Sequence, residues 1–347
     1  MDRYVPPRAN LFAIALTTVL AGLHAWWVTT QSRADFGTLW AALQSAEPYG
    51  PVNFPYPPSS LPIFQPFALL DFAPAMILWV SLSACALAIS TGSRWVPLLL
   101  LAPPVLWALP SGQTSVLMGA LIFGGLRLLR KPVAAGFMFG LVLTVKPQLM
   151  TVLLAGLLLS GHWRILFCTG ATFAAMTVLS GAIFGFGQWL SWFDVLSRFT
   201  EFHETNAAYR RNEIAFGIPW PLRIAALIAG AILVAKAIER RDAVELIVIA
   251  VGFALIASPH AMGYEFAVVS PAFIWLIARR RWAAPATVVF MSTTVLVWSS
   301  GGALRSFSPY LWTLLILIMA VVVDGDLRRR SHAVEASLGK GVPNQEA

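Results

Sequence analysis

The feature that most constrains this chain is the recurrence of long apolar runs that contain no charged side chain. Such runs occupy residues 72–90, 95–126, 165–193 and 306–323. An α-helix needs roughly 20 apolar residues to cross a hydrocarbon core of about 30 Å, and most of these runs are long enough. Only 12% of the 347 residues are charged, whereas a soluble domain has about 25%. The sequence therefore predicts an all-α, polytopic membrane protein.

Charged residues and segments rich in Pro or Gly divide the chain into about twelve predicted spans. The predicted spans are residues 11–30, 72–91, 95–109, 113–127, 133–145, 148–161, 165–184, 215–235, 243–258, 265–278, 283–300 and 308–323. The fifth and sixth are short, so we expect them to be tilted helices or broken helices packed among the others. Residues 1–323 are predicted to form one transmembrane domain, and the polar residues 324–347 a disordered cytoplasmic tail.

The positive charges predict an orientation. The net charge is +8, and the basic residues lie in short clusters between apolar runs, as in membrane proteins rather than in nucleic-acid-binding proteins. Because cytoplasmic loops are enriched in Lys and Arg, we predict an inner (plasma) membrane protein with both termini in the cytoplasm. The outer loops are then residues 31–71, 185–214 and 258–265, and the first two are long enough to be functional.

An acid and an apolar helical pattern open the first outer loop. Asp35 comes directly after the first span, and Phe36, Leu39, Trp40 and Leu43 recur at helical spacing. This pattern predicts a short helix that lies in the membrane interface. Asp35 has two interpretations: it caps that helix by accepting backbone N–H bonds, or it is a general base for a hydroxyl group.

Prolines crowd the second half of the same loop. They are Pro55, Pro57, Pro58, Pro62 and Pro66. We expect them to exclude regular helix and to impose extended backbone. The segment is then a rigid linker into the next span, or an aromatic cover that includes Tyr56 and lies over a lipid or a sugar.

Polar residues interrupt apolar sequence at two further helix ends on the predicted outer side. Gln113 lies in SGQTS (111–115), where it caps a helix or binds substrate. Lys146 lies in VKP, with no other Lys or Arg between residues 132 and 163. Its two interpretations are a side chain that extends to the interface and a contact to a lipid phosphate, since charges at membrane depth are usually functional.

The third outer loop, SPHAMGYE, contains His260, Tyr264 and Glu265. His260 either bonds a neighbouring carbonyl or helps to bind a phosphate or an acceptor hydroxyl. Arg223 adds a cation on the same side. The predicted topology places Asp35, Lys146 and His260 at one membrane face. An acid beside cations suits a displacement in which a base deprotonates a hydroxyl while cations stabilise a departing phosphate.

Several common site classes are missing from the sequence. It contains no G-x-x-x-x-G-K-[ST], GxGxxG, H-E-x-x-H or CxxC motif. If the protein is an enzyme, it does not hydrolyse a nucleotide through a recognisable loop, and an activated donor arrives by another route, such as the lipid phase. Cys85 and Cys168 fall within apolar runs, where we expect them to be inert packing residues.

The order of these segments resembles glycosyltransferase family 87, whose members are polytopic enzymes of the GT-C class. The resemblance is in Asp-Phe after the first span, PYG followed by FPYPPSSLPIFQP, SGQTS, GFMFGLVLTVKPQ, HWR and SPHAMGYE. It implies a GT-C-type helical bundle and a polyprenyl-phosphate sugar donor, usually mannose. It also implies a lipid or glycan acceptor, transfer on the periplasmic or external face, and inversion at the anomeric carbon.

By the same resemblance, Asp35 is the catalytic base, Lys146 and His260 fall on the family's Lys-Pro and Ser-Pro-His motifs, and no metal or other cofactor takes part. The candidates for binding the donor phosphate are Lys146, His260 and Arg223. The remaining substrate-binding candidates are Tyr56, Gln113, Tyr264 and Glu265. The alternative function is a transporter or flippase of a lipid-linked glycan. A transporter is expected to have ionisable groups near the midplane, whereas the polar groups here are predicted at one face, which favours an enzyme.

Overall fold

The computed structural model describes residues 15–16, 19–20, 22–23, 35–45, 47–50, 54, 56–91, 103–109, 111–205, 213–215, 217–240, 243–269, 272, 311, 314–319 and 321–322. The α-helices are α1 (Asp35–Gln44), α2 (Leu61–Ala68), α3 (Phe72–Thr91), α4 (Pro103–Ala108), α5 (Ser115–Arg127), α6 (Pro132–Val145), α7 (Thr151–Leu159), α8 (Trp163–Phe184), α9 (Gln188–Thr205), α10 (Trp220–Ala237) and α11 (Ala243–Ala257). Short 3-10 helices cover Pro58–Ser60, Pro147–Met150 and Gly263–Val269. The predicted all-α class is confirmed for this part of the chain.

Three helices are long and apolar enough to cross a membrane: α3, α8 and α10. They correspond to the predicted spans 72–91, 165–184 and 215–235. The helices α5, α6, α7 and α11 are also apolar but shorter. The total of about twelve spans stays a prediction, because the segments 11–30, 283–300 and 308–323 and the tail 324–347 lie wholly or largely outside the described residues.

The long helices leave large apolar side chains on the surface. Leu82 on α3 is 49% exposed, Phe167 on α8 is 77% exposed, and Ile228 on α10 is 55% exposed. Extended apolar surface of this kind is unfavourable in water, but a helix whose backbone groups are all bonded internally can present it to lipid. These exposed faces of α3, α8 and α10 are therefore suited to contact lipid.

The interior is built around α11 and a close pair of helices. Residues 244–252 of α11 are all buried, as expected for a helix that is apolar on every side. Gly136 and Gly140 of α6 face α8, where an added Cβ would lie 2.4 Å from the Cβ atoms of Cys168 and Thr172. Small residues four apart allow helix backbones to approach closely in membranes, so the GFMFG sequence explains why α6 packs on α8.

The predicted helix in the first outer loop is present as α1, but its apolar face packs against the protein. Phe36 is 2% exposed, and its ring stacks on Trp79 of α3 at 6.0 Å between centroids. Trp40 donates from Nε1 to the Leu70 carbonyl at 3.0 Å. The side chains expected to enter lipid therefore attach α1 to α3.

The prediction that prolines keep residues 55–66 extended is wrong. The chain forms the 3-10 helix Pro58–Ser60 and then α2, which contains Pro62 in its first turn and Pro66 further on. A proline in the first turn removes no helical hydrogen bond, and Pro66 removes one from a helix of 8 residues. Side-chain contacts hold this segment: Ser59 donates to the Thr144 carbonyl at 3.1 Å, and Ser180 donates to the Pro58 carbonyl at 2.6 Å.

The second predicted outer loop, residues 185–214, contains the 18-residue helix α9. Gly185 ends α8 at φ 87°, a backbone conformation that glycine adopts without steric cost. Leu190 and Phe193 of α9 are 73% and 56% exposed, so this helix presents apolar surface beside charged residues. Such a pattern is typical of a helix that lies along a membrane surface.

Candidate active site

The start of α1 lies against the SGQTS segment. The Phe36 N–H donates to the Ser111 carbonyl at 2.9 Å, and Trp79 Nε1 donates to the Gly112 carbonyl at 2.9 Å. Gly112 has φ 68°, and a Cβ there would lie 2.4 Å from the Phe36 Cβ, so this close contact requires glycine. The backbone of Asp35 is therefore placed beside residues 111–115, while its side chain lies outside what the structure describes.

Lys146 and Glu265 form a buried ion pair. Lys146 Nζ lies 2.9 Å from Glu265 Oε1, and the two side chains are 4% and 3% exposed. Lys146 Nζ is also 3.4 Å from Ser115 Oγ and 5.3 Å from the centre of the Tyr264 ring. The pair thus connects the end of α6 with the start of α5 and with the 3-10 helix Gly263–Val269.

The local sequence explains the position of Lys146. Its N–H donates to the Val142 carbonyl at 2.7 Å and so closes the last turn of α6. Pro147 follows and begins a 3-10 helix, because the residue before a proline is disfavoured in the α conformation. Burial by itself lowers the pKa of Lys146, but the Glu265 carboxylate outweighs it and holds the pKa above its ordinary value of 10.5. The ammonium group is therefore charged at neutral pH.

Glu265 owes its position to a close approach of two backbones. A Cβ at Gly119 of α5 would lie 2.8 Å from the Val268 carbonyl oxygen, which is too close for any side chain. The 3-10 helix Gly263–Val269 therefore lies directly on α5, one turn along from Ser115. Because of this contact, the carboxylate and the Ser115 hydroxyl both meet the Lys146 ammonium group.

Tyr56 lies on the other side of SGQTS. Its hydroxyl is 3.3 Å from Thr114 Oγ1, and its ring packs 5.6 Å from that of Phe54 and 5.5 Å from that of Phe64. Tyr49 donates to the Tyr56 carbonyl at 2.9 Å. Burial raises the pKa of Tyr49, so Tyr49 keeps the proton it donates. Residues 56–66, which we call the proline segment, thus form with Phe54 a wall of aromatic side chains next to the 111–115 segment.

Gln113 is 8% exposed, and its N–H donates to the Ala108 carbonyl at 2.8 Å. Helix α5 begins two residues later with Thr114 as its N-cap, and no side chain of the cap bonds the helix end. Gln113 is thus a buried polar residue of the SGQTS segment. It lies between Ser111, which bonds α1, and Ser115, which contacts Lys146.

A second group of polar residues surrounds Ser258, Pro259 and His260, which we call the SPH turn. His260 Nδ1 lies 3.2 Å from Glu213 Oε1, and the Phe199 ring of α9 contacts the imidazole edge-on at 6.4 Å. The Ile214 N–H donates to the Ala261 carbonyl at 2.7 Å, which aligns the two segments. A carboxylate bonded to one ring nitrogen fixes the orientation of a histidine, so Glu213 positions His260.

Arg223 is bonded mainly to backbone. Its Nε donates to the Ile218 carbonyl at 3.0 Å, one terminal nitrogen to Ala215 at 3.0 Å, and the other to Ser258. The side chain is 9% exposed. It joins the start of α10, the 213–218 segment and the SPH turn, and these contacts favour a structural role over direct phosphate binding.

The structure therefore brings most of the sequence-predicted residues into two neighbouring groups. Lys146, Glu265, Tyr264 and the SGQTS segment form the first group, which we call the lysine cluster. His260, Glu213 and Arg223 form the second, which is linked to the first through residues 258–265. Glu213 was not predicted from the sequence; its only signal was an acid two positions after the pair Arg210 and Arg211. In the part of the chain that the structure describes, no three His, Cys, Asp or Glu side chains are grouped as metal ligands.

The arrangement is a buried, polar, partly cationic site at one end of an apolar helical bundle, which suits an anionic lipid substrate. The model of glycosyltransferase family 87 matches residues 54–259, which is more than half of the chain. The chain belongs to glycosyltransferase family 87. It is therefore a membrane glycosyltransferase, as the sequence predicted, and family membership favours the enzyme over the transporter.

Within family 87, the matched range contains Tyr56, Gln113, Lys146, Glu213 and Arg223. It begins after Asp35 and ends just before His260, Tyr264 and Glu265. The curated proteins and the solved structures gave no significant match to the chain.

Proposed function

We propose that this family 87 enzyme transfers a sugar, mannose as the first expectation, from a polyprenyl-phosphate donor to a hydroxyl of a lipid or glycan acceptor. The protein lies in the inner (plasma) membrane with both termini in the cytoplasm and its site toward the periplasm or exterior. The observation that supports this proposal most is the lysine cluster, a buried charged group at the end of α6 in a protein whose neighbouring helices are apolar. A lipid-linked phosphate matches both the charge and the surroundings.

The proposed reaction is an inverting displacement. Asp35 takes the proton from the acceptor hydroxyl, and the acceptor oxygen forms a bond to the anomeric carbon on the face opposite the phosphate. The bond between that carbon and the phosphate oxygen breaks, and polyprenyl phosphate leaves with the electron pair. Two contacts support this role: the residue after Asp35 bonds Ser111, and Lys146 contacts Ser115 of the same SGQTS segment. A base and a cation on one segment suit this displacement.

The donor phosphate is assigned chiefly to Lys146 and His260. An ammonium group has three N–H donors, and the contacts of Lys146 to Glu265 and Ser115 use two of them. Ion pairing with a phosphate adds charge-assisted hydrogen bonds. Arg223 acts on the phosphate indirectly, by holding the Ser258 carbonyl and hence the turn that contains His260. Tyr56, Gln113 and Tyr264 remain candidates for sugar or acceptor contacts.

The test is an assay of the purified protein with radiolabelled polyprenyl-phosphate mannose and extracted membrane lipids. Wild type is compared with Asp35→Asn, and Asp194→Asn on the exposed surface of α9 is the matched control. Removing a general base typically costs about 10²–10⁴-fold in rate, so Asp35→Asn should lose activity in that range while Asp194→Asn keeps it. Near wild-type transfer by Asp35→Asn would exclude Asp35 as the base. No product from polyprenyl-phosphate mannose, glucose or galactose would refute the proposed donor class.

A further inference from the structure

Among the described residues, one oxygen of the Glu265 carboxylate has no hydrogen-bond partner. Oε1 accepts from Lys146 at 2.9 Å, but Oε2 is buried and, in the described part of the chain, no group donates to it. The side chain is only 3% exposed. A buried carboxylate oxygen without a donor is costly, and native proteins usually satisfy such atoms with a ligand or with ordered water.

The position of Oε2 limits the chemistry of its ligand. A carboxylate accepts hydrogen bonds, so the ligand has to supply an O–H or N–H donor. An anionic group is excluded as the ligand of Oε2, because the negative carboxylate would repel it. The Tyr264 ring lies 5.3 Å from the ammonium group that bonds this carboxylate, so an aromatic ring is also near the site. A sugar ring, which has several hydroxyl donors on an apolar frame, fits these requirements.

We propose that Glu265 Oε2 accepts a hydrogen bond from the donor sugar, from the hydroxyl next to the phosphate-bearing carbon. This inference rests on the proposed function, in which Lys146 contacts the donor phosphate. Lys146 touches Glu265 as well, so the oxygen beside it lies close to the sugar atoms nearest the phosphate. Lys146 is in this respect a positioning residue, because its bond to Oε1 fixes the carboxylate and directs Oε2 to the sugar. Glu265 thereby determines which sugar is accepted.

The energetic consequence is a strong preference for the complete sugar. A buried group that is built to bond a substrate hydroxyl rejects the analogue without that hydroxyl by about 10⁴–10⁵-fold. The penalty arises because the analogue leaves the carboxylate oxygen desolvated and unpaired. Glu265→Gln keeps the size of the side chain and its bond to Lys146, but it removes the charged acceptor. The variant should therefore discriminate much less between the two donors.

The experiment measures kcat/KM for polyprenyl-phosphate mannose and for its 2-deoxy analogue, with wild type and Glu265→Gln. Glu239→Gln on the exposed end after α10 is the matched control. We expect wild type and the control to prefer the complete donor by about 10⁴-fold, and Glu265→Gln to reduce this ratio to less than about 100-fold. If Glu265→Gln lowers both values equally and leaves the ratio unchanged, the residue is only structural and the inference is wrong.

One measurement does not depend on the variant being folded. Wild type that uses the 2-deoxy donor as efficiently as the complete donor would overturn the inference by itself. That result leaves the proposed function intact, because both donors give product. The absence of product with every polyprenyl-phosphate sugar would instead refute the proposed function. The two failures are thus distinguishable.

Discussion

Replacing Lys146 by methionine is expected to destabilise the protein by about 3–5 kcal/mol, because it leaves the Glu265 carboxylate buried without its partner. The ammonium–carboxylate distance is 2.9 Å, and both groups are at least nine-tenths buried. At this distance the attraction is about 6 kcal/mol for an effective dielectric constant of about 20. Desolvation of the two ions, at several kcal/mol each, offsets most of it.

Removing both charges is expected to destabilise the protein far less than removing one, because no unpaired charge is left buried. The double variant Lys146→Met/Glu265→Met replaces the ion pair with apolar side chains of similar volume, and such replacements are neutral or stabilising by about 1–4 kcal/mol. The double variant should therefore be at least as stable as wild type, although it should be inactive. Lys131→Met, at the exposed start of α6, makes the same change on the surface and should alter stability by less than about 0.5 kcal/mol.

The assay is the free energy of unfolding of purified protein in mixed micelles, titrated with a denaturing detergent and followed by tryptophan fluorescence. The titration is repeated at low and high salt, since a buried pair is screened little. Two results would refute the reasoning: a Lys146→Met variant within about 1 kcal/mol of wild type, or a double variant whose loss equals the sum of the two single losses.

Two further variants test contacts around the site. Gly119→Ala should displace the 3-10 helix Gly263–Val269, since its Cβ would lie 2.8 Å from the Val268 oxygen. We expect its kcat/KM to fall at least about tenfold. The control is Gly170→Ala on α8, whose Cβ meets nothing within 4 Å and which should be neutral or slightly stabilising. Full activity of Gly119→Ala would contradict the packing argument. Arg223→Lys should lower the free energy of unfolding by about 2–4 kcal/mol, because one ammonium group cannot reach three carbonyls, whereas exposed Arg240→Lys should change it little. An unchanged stability with a raised KM for the donor would instead assign Arg223 to the phosphate.

The helices themselves were predictable where apolar length alone decides the structure. Helix α3 has the predicted bounds, and α8 begins two residues before the predicted residue 165. In these cases the hydrocarbon core sets the length of the helix, so the sequence contains the relevant information. The shorter helices α5, α6 and α11 were predicted to within a few residues, because charged, Pro or Gly residues bound their apolar sequences.

Prediction failed where tertiary packing decides the outcome. The apolar face of α1 has the same sequence pattern whether it contacts lipid or protein. The stacking of Phe36 on Trp79 shows that it packs on protein. Prolines in residues 55–66 suggested extended backbone, but two of them fall at positions that a short helix tolerates. The end of the span at residue 184 was predicted correctly, but the segment expected to be a loop after it contains the helix α9.

The candidate site, like the fold, was predictable only in part. Polar residues in apolar sequence identified Lys146, Gln113 and His260 as candidates, because desolvating them is costly without a partner. The partners themselves could not be predicted. Lys146 and Glu265 are separated by 119 positions, and Glu213 meets His260 across 47 positions. Contacts over such separations depend on how the helices pack, which a single sequence does not specify.

The two serine bonds of the proline segment have a consequence for how substrates enter. Ser59 ties the 3-10 helix Pro58–Ser60 to α6, and Ser180 ties it to α8, which itself packs closely on α6. A segment attached to two mutually packed helices is a fixed wall and not a movable lid. If the donor is the proposed polyprenyl phosphate, the opening that admits its lipid chain forms elsewhere on the rim of the site, and the rate of opening is set by segments other than this one.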